Sequence, residues 1–404
     1  MSYSRQSLRA SRYITIVFGI LALGYFIIYI MQVLGSAAVD RVLVLDSAAW
    51  QQAVALADPF SVAQNSLFPL SPFSVGPSTP SLGTPNASPP AATSSLGAYN
   101  VNPNTVTVAG ISAGGFMAVQ LQVAYSASIF GTAVFAGGPY YCAQDSETLA
   151  TGQCESGSGI DLHTLITYTN TQNGNGTIDP PSNIANKPIY MFSGTEDTTV
   201  HQVVMDNLSQ YYLNFTNTDH ITYNDNTPAA HAWISPDGPN SCGSSYIPYI
   251  NNCSIDPEQT FLTMFYGSLS AKNTGTLGGS FIQFNQDPFV AGGSAQAESM
   301  DSTGWLYVPA ACASQQACRL VIALHGCLQY QGLIQQQFVQ QSGINEWADT
   351  NNIIVLYPQA TTSSSNPLGC WDWWGYTNAD YALKGAPQMA AIMAMVTQIT
   401  SGQK

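Results

Sequence analysis

The stretch Thr105-Val-Thr-Val-Ala-Gly-Ile-Ser-Ala-Gly-Gly-Phe-Met117 decides the fold. Its opening Thr105–Ala109 is almost wholly β-branched and predicts a short strand. Gly110-Ile-Ser-Ala-Gly114 then matches G-x-S-x-G, and Gly115 to Tyr125 predicts an apolar helix (Phe116, Met117, Val119, Leu121, Val123). Strand, tight turn and helix form the context in which this pentapeptide presents a nucleophile. The serine must sit on a cramped turn with its Oγ projecting into a cleft, and side chains at the flanking positions would clash. A helix N-terminus behind it favours developing negative charge. Ser112 is the expected nucleophile; a plain Gly-rich turn is the bland alternative.

Working outward, further strands are predicted at Thr132–Ala136, Pro188–Phe192, Ile221–Tyr223, Arg319–Leu324 and Ile353–Leu356. Helices are predicted at Ile344–Asp349 and Ala386–Ile399. Strands alternating with helices indicate an α/β fold, a mostly parallel sheet with helices on both faces. An acid is expected just past a strand end, and Tyr190-Met-Phe-Ser-Gly-Thr-Glu-Asp197 places Asp197 there, with Glu196 as its rival. The base should follow in the order Ser, Asp, His. Of the five histidines, His163 falls in an irregular segment before the acid, His201 on a helix, His220 at a strand start and His325 in a His-Gly-Cys turn. His231, in a loop after a strand within Pro-Ala-Ala-His-Ala-Trp, is the expected base.

Serine hydrolases of this architecture stabilise the oxyanion with the N–H after the nucleophile, here Ala113, and a second from a His-Gly-type loop after an earlier strand. Leu324-His-Gly-Cys327 suits the second, yet it follows Ser112, Asp197 and His231 in the chain. The usual order runs His-Gly strand, helix, strand, helix, nucleophile strand. Here the first four pieces close the sequence and the fifth opens the globular part. That order is the one a circularly permuted α/β-hydrolase would have.

Several segments together resemble the poly(3-hydroxybutyrate) depolymerases with a permuted single-domain catalytic fold. They are Ala98–Ala118, Ala124-Tyr-Ser, Phe135-Ala-Gly-Gly-Pro-Tyr, Leu324-His-Gly-Cys-Leu-Gln329 and Cys370-Trp-Asp-Trp373. The resemblance covers roughly residues 97–402. It implies a Ser112, Asp197, His231 triad, an oxyanion hole from the Ala113 and Cys327 N–H groups, an aliphatic polyester or hydroxyalkanoate oligomer as substrate, and neither cofactor nor metal. Aromatic residues cluster near these motifs, and Trp371, Trp373 and Trp374 are expected to supply one or two substrate contacts; the alternative is that they are core. No separate C-terminal substrate-binding domain is recognisable, and residues 1–96 lie outside the resemblance. Other ester hydrolases (feruloyl or acetylxylan esterases, lipases), a protease and a catalytically dead surface binder remain rival readings.

Composition narrows the partners. Only 8% of the 404 residues are charged, against about 25% in an average domain, and 9 Lys and Arg face 23 Asp and Glu for a net charge of −14. Such a surface repels phosphate backbones, which excludes nucleic acid, and suits a neutral polymer. Arg5, Arg9 and Arg12 precede the apolar run Tyr13–Leu34 and the small residues Gly35-Ser-Ala-Ala38. Residues 1–38 therefore read either as a cleaved signal peptide or as a retained single-helix membrane anchor, and both put the remainder outside the cytoplasm. Residues 39–96 read as an extension with a short helix at Ala48–Ala57 and a Pro/Ser-rich linker, and 97–404 as the catalytic domain. Eight cysteines, none before Cys142, fit an exported disulfide protein. Short separations suggest Cys142/Cys154, Cys242/Cys253 and Cys312/Cys318, leaving Cys327/Cys370.

Overall fold

Eight strands of this chain hydrogen-bond into one sheet whose centre is the strand before Ser112. The structure is a computed structural model and describes residues 94–404. The expected signal or anchor segment, the short helix and all but the end of the linker lie outside the described residues. The strands are β1 (Val101–Ile111), β2 (Gly131–Phe135), β3 (Ile189–Phe192), β4 (Ile221–Asn224), β5 (Trp233–Ile234), β6 (Asn240–Ser241), β7 (Ile250–Asn252), β8 (Ser280–Asn285), β9 (Thr303–Val308), β10 (Cys318–Leu324) and β11 (Ile353–Tyr357). The longer helices are α1 (Ala113–Ala124), α2 (Leu162–Asn175), α3 (Gln202–Tyr212), α4 (Pro257–Tyr266), α5 (Ile344–Asn351) and α6 (Pro387–Thr400).

The large sheet runs β4-β3-β2-β1-β10-β11-β9-β8, and β5-β7-β6 form a small second sheet. Within the large sheet every pairing is parallel except those of β9 with β11 and β8. The central strands are buried on both faces: β2, β3 and β11 throughout, and β1 from Val106 on. This is why they read in the sequence as unbroken apolar runs rather than as alternations. The edge strands β4 and β8 are half-exposed and carry Thr, Asn, Ser and Gln instead.

The permutation is visible in the connectivity. β10, α5, β11 and α6 follow one another, and β10 then pairs in parallel with β1 from the other end of the described chain. The end of α6 meets the start of β1: Tyr99 N donates to Ile399 O at 2.8 Å and Gln398 Nε2 to Leu96 O at 3.1 Å. Hydrogen bonds thus span the place where an unpermuted hydrolase would have a peptide link. All four expected disulfides form, Cys142–Cys154, Cys242–Cys253, Cys312–Cys318 and Cys327–Cys370.

Two sequence expectations are corrected. His163 lies on α2, exposed, rather than in an irregular segment; Asp161 accepts from its backbone N–H and Gly176 closes the helix in the left-handed conformation. His220 ends a short 3-10 turn ahead of β4 instead of opening the strand.

Candidate active site

The register of the sheet assembles the site. Ala109 stands opposite Ala323 and Gly110 opposite Leu324, so the ends of β1 and β10 bring Ser112 and His325-Gly326 to the same edge. Ser112 itself has φ 57° and ψ −125° and caps α1. A non-glycine residue held there stores strain of about 1–3 kcal/mol, which the surroundings must compensate. They do so through Ser112 N, which donates to Phe135 O at 3.0 Å, and Ser112 O, which accepts from Phe116 N at 2.9 Å. The flanking glycines are required by space: a Cβ on Gly110 would lie 2.0 Å from Gly114 O, and one on Gly114 would lie 2.4 Å from Leu324 O. Ser112 stays half-buried.

Asp197 sits in the loop after β3, and the fold buries it while Glu196 faces solvent. Its Oδ1 accepts from Thr199 N and Val200 N, both at 2.9 Å, and its Oδ2 accepts from His231 Nδ1 at 2.8 Å. A carboxylate only accepts, so Nδ1 carries the proton and Nε2 is left as the basic atom. The His231 side chain is 10% exposed and that of Asp197 1%. The histidine is held by its neighbours: Ala230 N donates to Cys242 O, Trp233 N to Tyr249 O and Trp233 Nε1 to Ser342 O. The Trp233 ring packs on Phe135 with centroids 4.3 Å apart. Among the described residues the Ser112 hydroxyl makes no hydrogen bond, to His231 or to any other group.

Opposite Ser112 lies the His-Gly-Cys turn. A Cβ on Gly326 would come within 3.1 Å of Ser112 Cβ, so glycine lets the turn approach this close without pushing its neighbours aside. Gly326 N donates to Gln329 Oε1 at 2.7 Å, and Cys327 is tied to Cys370 by its disulfide. Among the described residues the backbone N–H groups of Ala113 and Cys327 have no protein partner. Two unused donors beside a strained serine are what an oxyanion needs. His325 is buried in the turn and structural: Nδ1 donates to Gly326 O, Nε2 accepts from Ala360 N, and burial pushes its pKa down to about 4.

The three tryptophans separate. Trp371 is fully buried against the His325 ring, with centroids 5.4 Å apart, and the expectation that it could touch substrate is overturned. Trp373 stacks on Phe116 with ring centroids 4.0 Å apart and is buried; Trp374 is half-buried. These two, with Glu155, Cys327 and Leu368, line a cleft of about 120 Å³. The 370–377 loop turns because Asp372 is buried and its carboxylate accepts from the N–H groups of Gly375, Tyr376 and Thr377, so neighbouring tryptophans face different ways.

Two residues in this region were missed by the sequence reasoning. Glu155, on a short helix pinned by Cys142–Cys154, lines the cleft; burial raises its pKa, and it feels the charges of His231 and Asp197. Gln329 holds the His-Gly-Cys turn. No motif marks Glu155, whereas Gln329 stood within a recognised segment without a role. Among the described residues no three His, Cys, Asp or Glu side chains are placed to hold a metal ion.

Sheet order, the strained serine turn and the Asp197–His231 pair fit an α/β-hydrolase-type protein. Comparison with known proteins places it more closely. The family described as Esterase PHB depolymerase matches residues 303–403. A poly(3-hydroxybutyrate) depolymerase from Delftia acidovorans is 46% identical over 312 residues, which is 76% of this chain and 62% of that protein. A polyhydroxybutyrate depolymerase from Talaromyces funiculosus is 44% identical over 328 residues, 77% of this chain and 94% of that protein. The crystal structure of a PHB depolymerase from Penicillium funiculosum superposes with a TM-score of 0.72 at 43% identity, covering 77% of this chain and 100% of that one. A serine-to-alanine PHB depolymerase in complex with an R3HB trimer matches equally well. The chain belongs to the poly(3-hydroxybutyrate) depolymerase family. It spans less than two thirds of the Delftia relative and nearly all of the Talaromyces one.

Proposed function

We propose that this protein is an extracytoplasmic serine hydrolase that cleaves the ester bonds of poly(3-hydroxybutyrate) or related polyhydroxyalkanoates and their oligomers. The observation that carries the proposal is the buried Asp197–His231 pair at 2.8 Å on the edge where strained Ser112 faces two unused N–H donors. Membership of the family and the R3HB trimer bound by a relative support the substrate class. Four disulfides and the basic-then-apolar N-terminus favour export. Residues 1–38 would serve as signal or anchor, 39–96 as spacer and 97–404 as the catalytic domain. Among the described residues no helix is long and apolar enough to cross a membrane; the run Tyr13–Leu34 lies outside them.

In this mechanism His231 Nε2 takes the Ser112 proton as Oγ attacks the ester carbonyl. Asp197 holds the tautomer and stabilises the imidazolium. The Ala113 and Cys327 N–H groups bind the oxyanion, each worth ~3–4 kcal/mol by analogy with single-donor deletions. His231 returns the proton to the departing hydroxyl end of the chain, leaving an acyl-enzyme. Water, deprotonated by His231, then releases the carboxylic acid. Trp373 and Trp374 flank the bound chain.

The test is release of 3-hydroxybutyrate and its oligomers from amorphous poly(3-hydroxybutyrate) by the full chain, with Ser112→Ala as control. Release by the wild type alone is expected. Cleavage of short nitrophenyl esters without polymer release would move the substrate to another ester class, and no turnover of any ester would end the enzyme reading.

A further inference from the structure

We propose that Gln329 is the positioning residue of the oxyanion hole, fixing the Cys327 N–H through a side-chain amide that bridges two loops. The inference rests on the serine-hydrolase reading above. Gln329 is 2% exposed, and its amide is used at both ends. Oε1 accepts from Gly326 N at 2.7 Å; Nε2 donates to Pro248 O at 2.9 Å and to Tyr249 O at 3.0 Å. Tyr249 O also accepts from Trp233 N at 2.9 Å, two residues after His231. One side chain therefore ties the oxyanion turn to the backbone segment that braces the catalytic histidine.

The chemistry selects the residue type. The site offers one N–H that needs an acceptor and two carbonyl oxygens with a lone pair to spare, which a primary amide satisfies together. Because Gly326 N is occupied by Gln329, it is withdrawn from the cleft, and Cys327 N becomes the donor left free on that turn. The turn is then held on its other side: Cys327 is cross-linked to Cys370, and Leu328, at φ 60°, donates its N–H to Leu368 O at 2.8 Å. Those bonds fix Cys327 through its side chain and through the next peptide. The 326–327 peptide, which carries the Cys327 N–H, is held at its carbonyl by His325 Nδ1 at 2.8 Å and Gln329 N at 3.3 Å, and the Gln329 side chain fixes the preceding peptide through Gly326 N at 2.7 Å.

Gln329→Met keeps length and burial but removes all three bonds. Gln329→Glu keeps the bond to Gly326 N and sets a carboxylate against two carbonyls. An N–H that no longer aims at the oxyanion loses stabilisation in the transition state only, because the cleft walls at Trp373 and Trp374 are untouched. With short nitrophenyl esters Gln329→Met should show kcat lowered by about 10- to 100-fold, below the about 10²–10³ seen when a donor is deleted outright, and Gln329→Glu, which keeps the Gly326 bond, a smaller loss. KM should stay within about twofold. The Ki of an alkyl trifluoromethyl ketone, whose tetrahedral adduct uses the same donors, should rise by the factor lost in kcat. Thermal unfolding accompanies each variant, and Glu, which retains one bond, guards against a Met variant that does not fold. Wild-type kcat in a folded variant, or a kcat loss with an unchanged Ki for the ketone, would overturn the positioning role and leave the hydrolase intact. No ester turnover by the wild type would overturn both.

Discussion

Replacing Asp197 by Asn tests the acid–base pair with side-chain volume held constant. In the native site Oδ1 already accepts two backbone N–H groups at 2.9 Å, from Thr199 and Val200. An asparagine must leave its oxygen there, because turning the NH2 toward two donors would orphan both at about 1–3 kcal/mol each. Its Nδ2 then faces His231 Nδ1 at the position now 2.8 Å away. Two donors cannot share that contact, so the imidazole switches tautomer, with Nδ1 accepting and Nε2 carrying the proton. A protonated Nε2 has no lone pair left with which to take a proton. Tautomer reversal of this kind in a Ser-His-Asp triad lowers kcat by ~10⁴, or ~5.4 kcal/mol at 1.36 kcal/mol per tenfold. The backbone bonds to Oδ1 are preserved, so stability should change by less than about 1 kcal/mol. The assay is initial rates on a nitrophenyl butyrate at neutral pH beside a urea unfolding curve. A variant that keeps more than about a tenth of wild-type kcat with an unchanged unfolding midpoint would refute the assignment. Glu155, whose carboxyl is raised by burial and feels the His231 charge, would then be the acid to examine.

The tryptophans offer a second test. Trp371→Ala should destabilise by about 3–5 kcal/mol, as for a fully buried large aromatic. Trp374→Ala should change the unfolding midpoint little and raise KM for oligomers; equal KM effects from both would contradict the geometry. A third prediction concerns pH. Burial, with Asp237 and Asp256 adding to it, pushes Glu346 up to about 7, although Lys272 opposes the shift. A raised carboxyl binds its proton more tightly in the native state than in the unfolded chain. Stability from this group is therefore highest below about pH 4.5, falls as pH rises toward 7, and is level above that. The full shift would be ~3.4 kcal/mol, and solvent reaching the partly exposed carboxylate reduces it to on the order of 2 kcal/mol. Glu346→Gln should recover that amount at pH 8 and nothing at pH 4.5 in urea titrations; an equal effect at both would refute it.

How much of this was legible in the sequence follows from how each part is stabilised. β1, β10 and β11 are buried on both faces and announce themselves as Val, Ile and Leu runs. The serine turn and the His-Gly-Cys turn are written in glycines because backbone approaches backbone there. α2 was not legible: only Leu165 and Thr169 of its 14 residues are buried, and its Thr- and Asn-rich face has no apolar period. The antiparallel β8–β9 pair was missed as well: β8 is a half-exposed edge strand of mixed residues, and β9, though mostly buried, opens on Thr and Gly rather than on an apolar run. Trp371 was misplaced for a different reason. Sequence proximity grouped it with Trp373 and Trp374, and the Asp372-centred turn that separates their directions is a three-dimensional fact. Glu155 and Gln329 gain meaning only from which loops fold together.

The permuted order also sets a clock on the site. The Thr107 hydroxyl and the Leu320 carbonyl that meet at 3.4 Å are 213 residues apart in the chain. At a synthesis rate of about 5–20 residues per second, the nucleophile strand waits roughly 10–40 s for its central neighbour. Until then Gly114 has no Leu324 carbonyl behind it, Ser112 faces no His-Gly-Cys turn, and Cys327 lacks its anchor at Cys370. The nascent chain carries its serine, acid and base early, while the surface that stabilises charge is assembled last. On the proposed mechanism, a chain that has not yet folded β10 and the His-Gly-Cys turn beside Ser112 is therefore hydrolytically silent, wherever folding takes place.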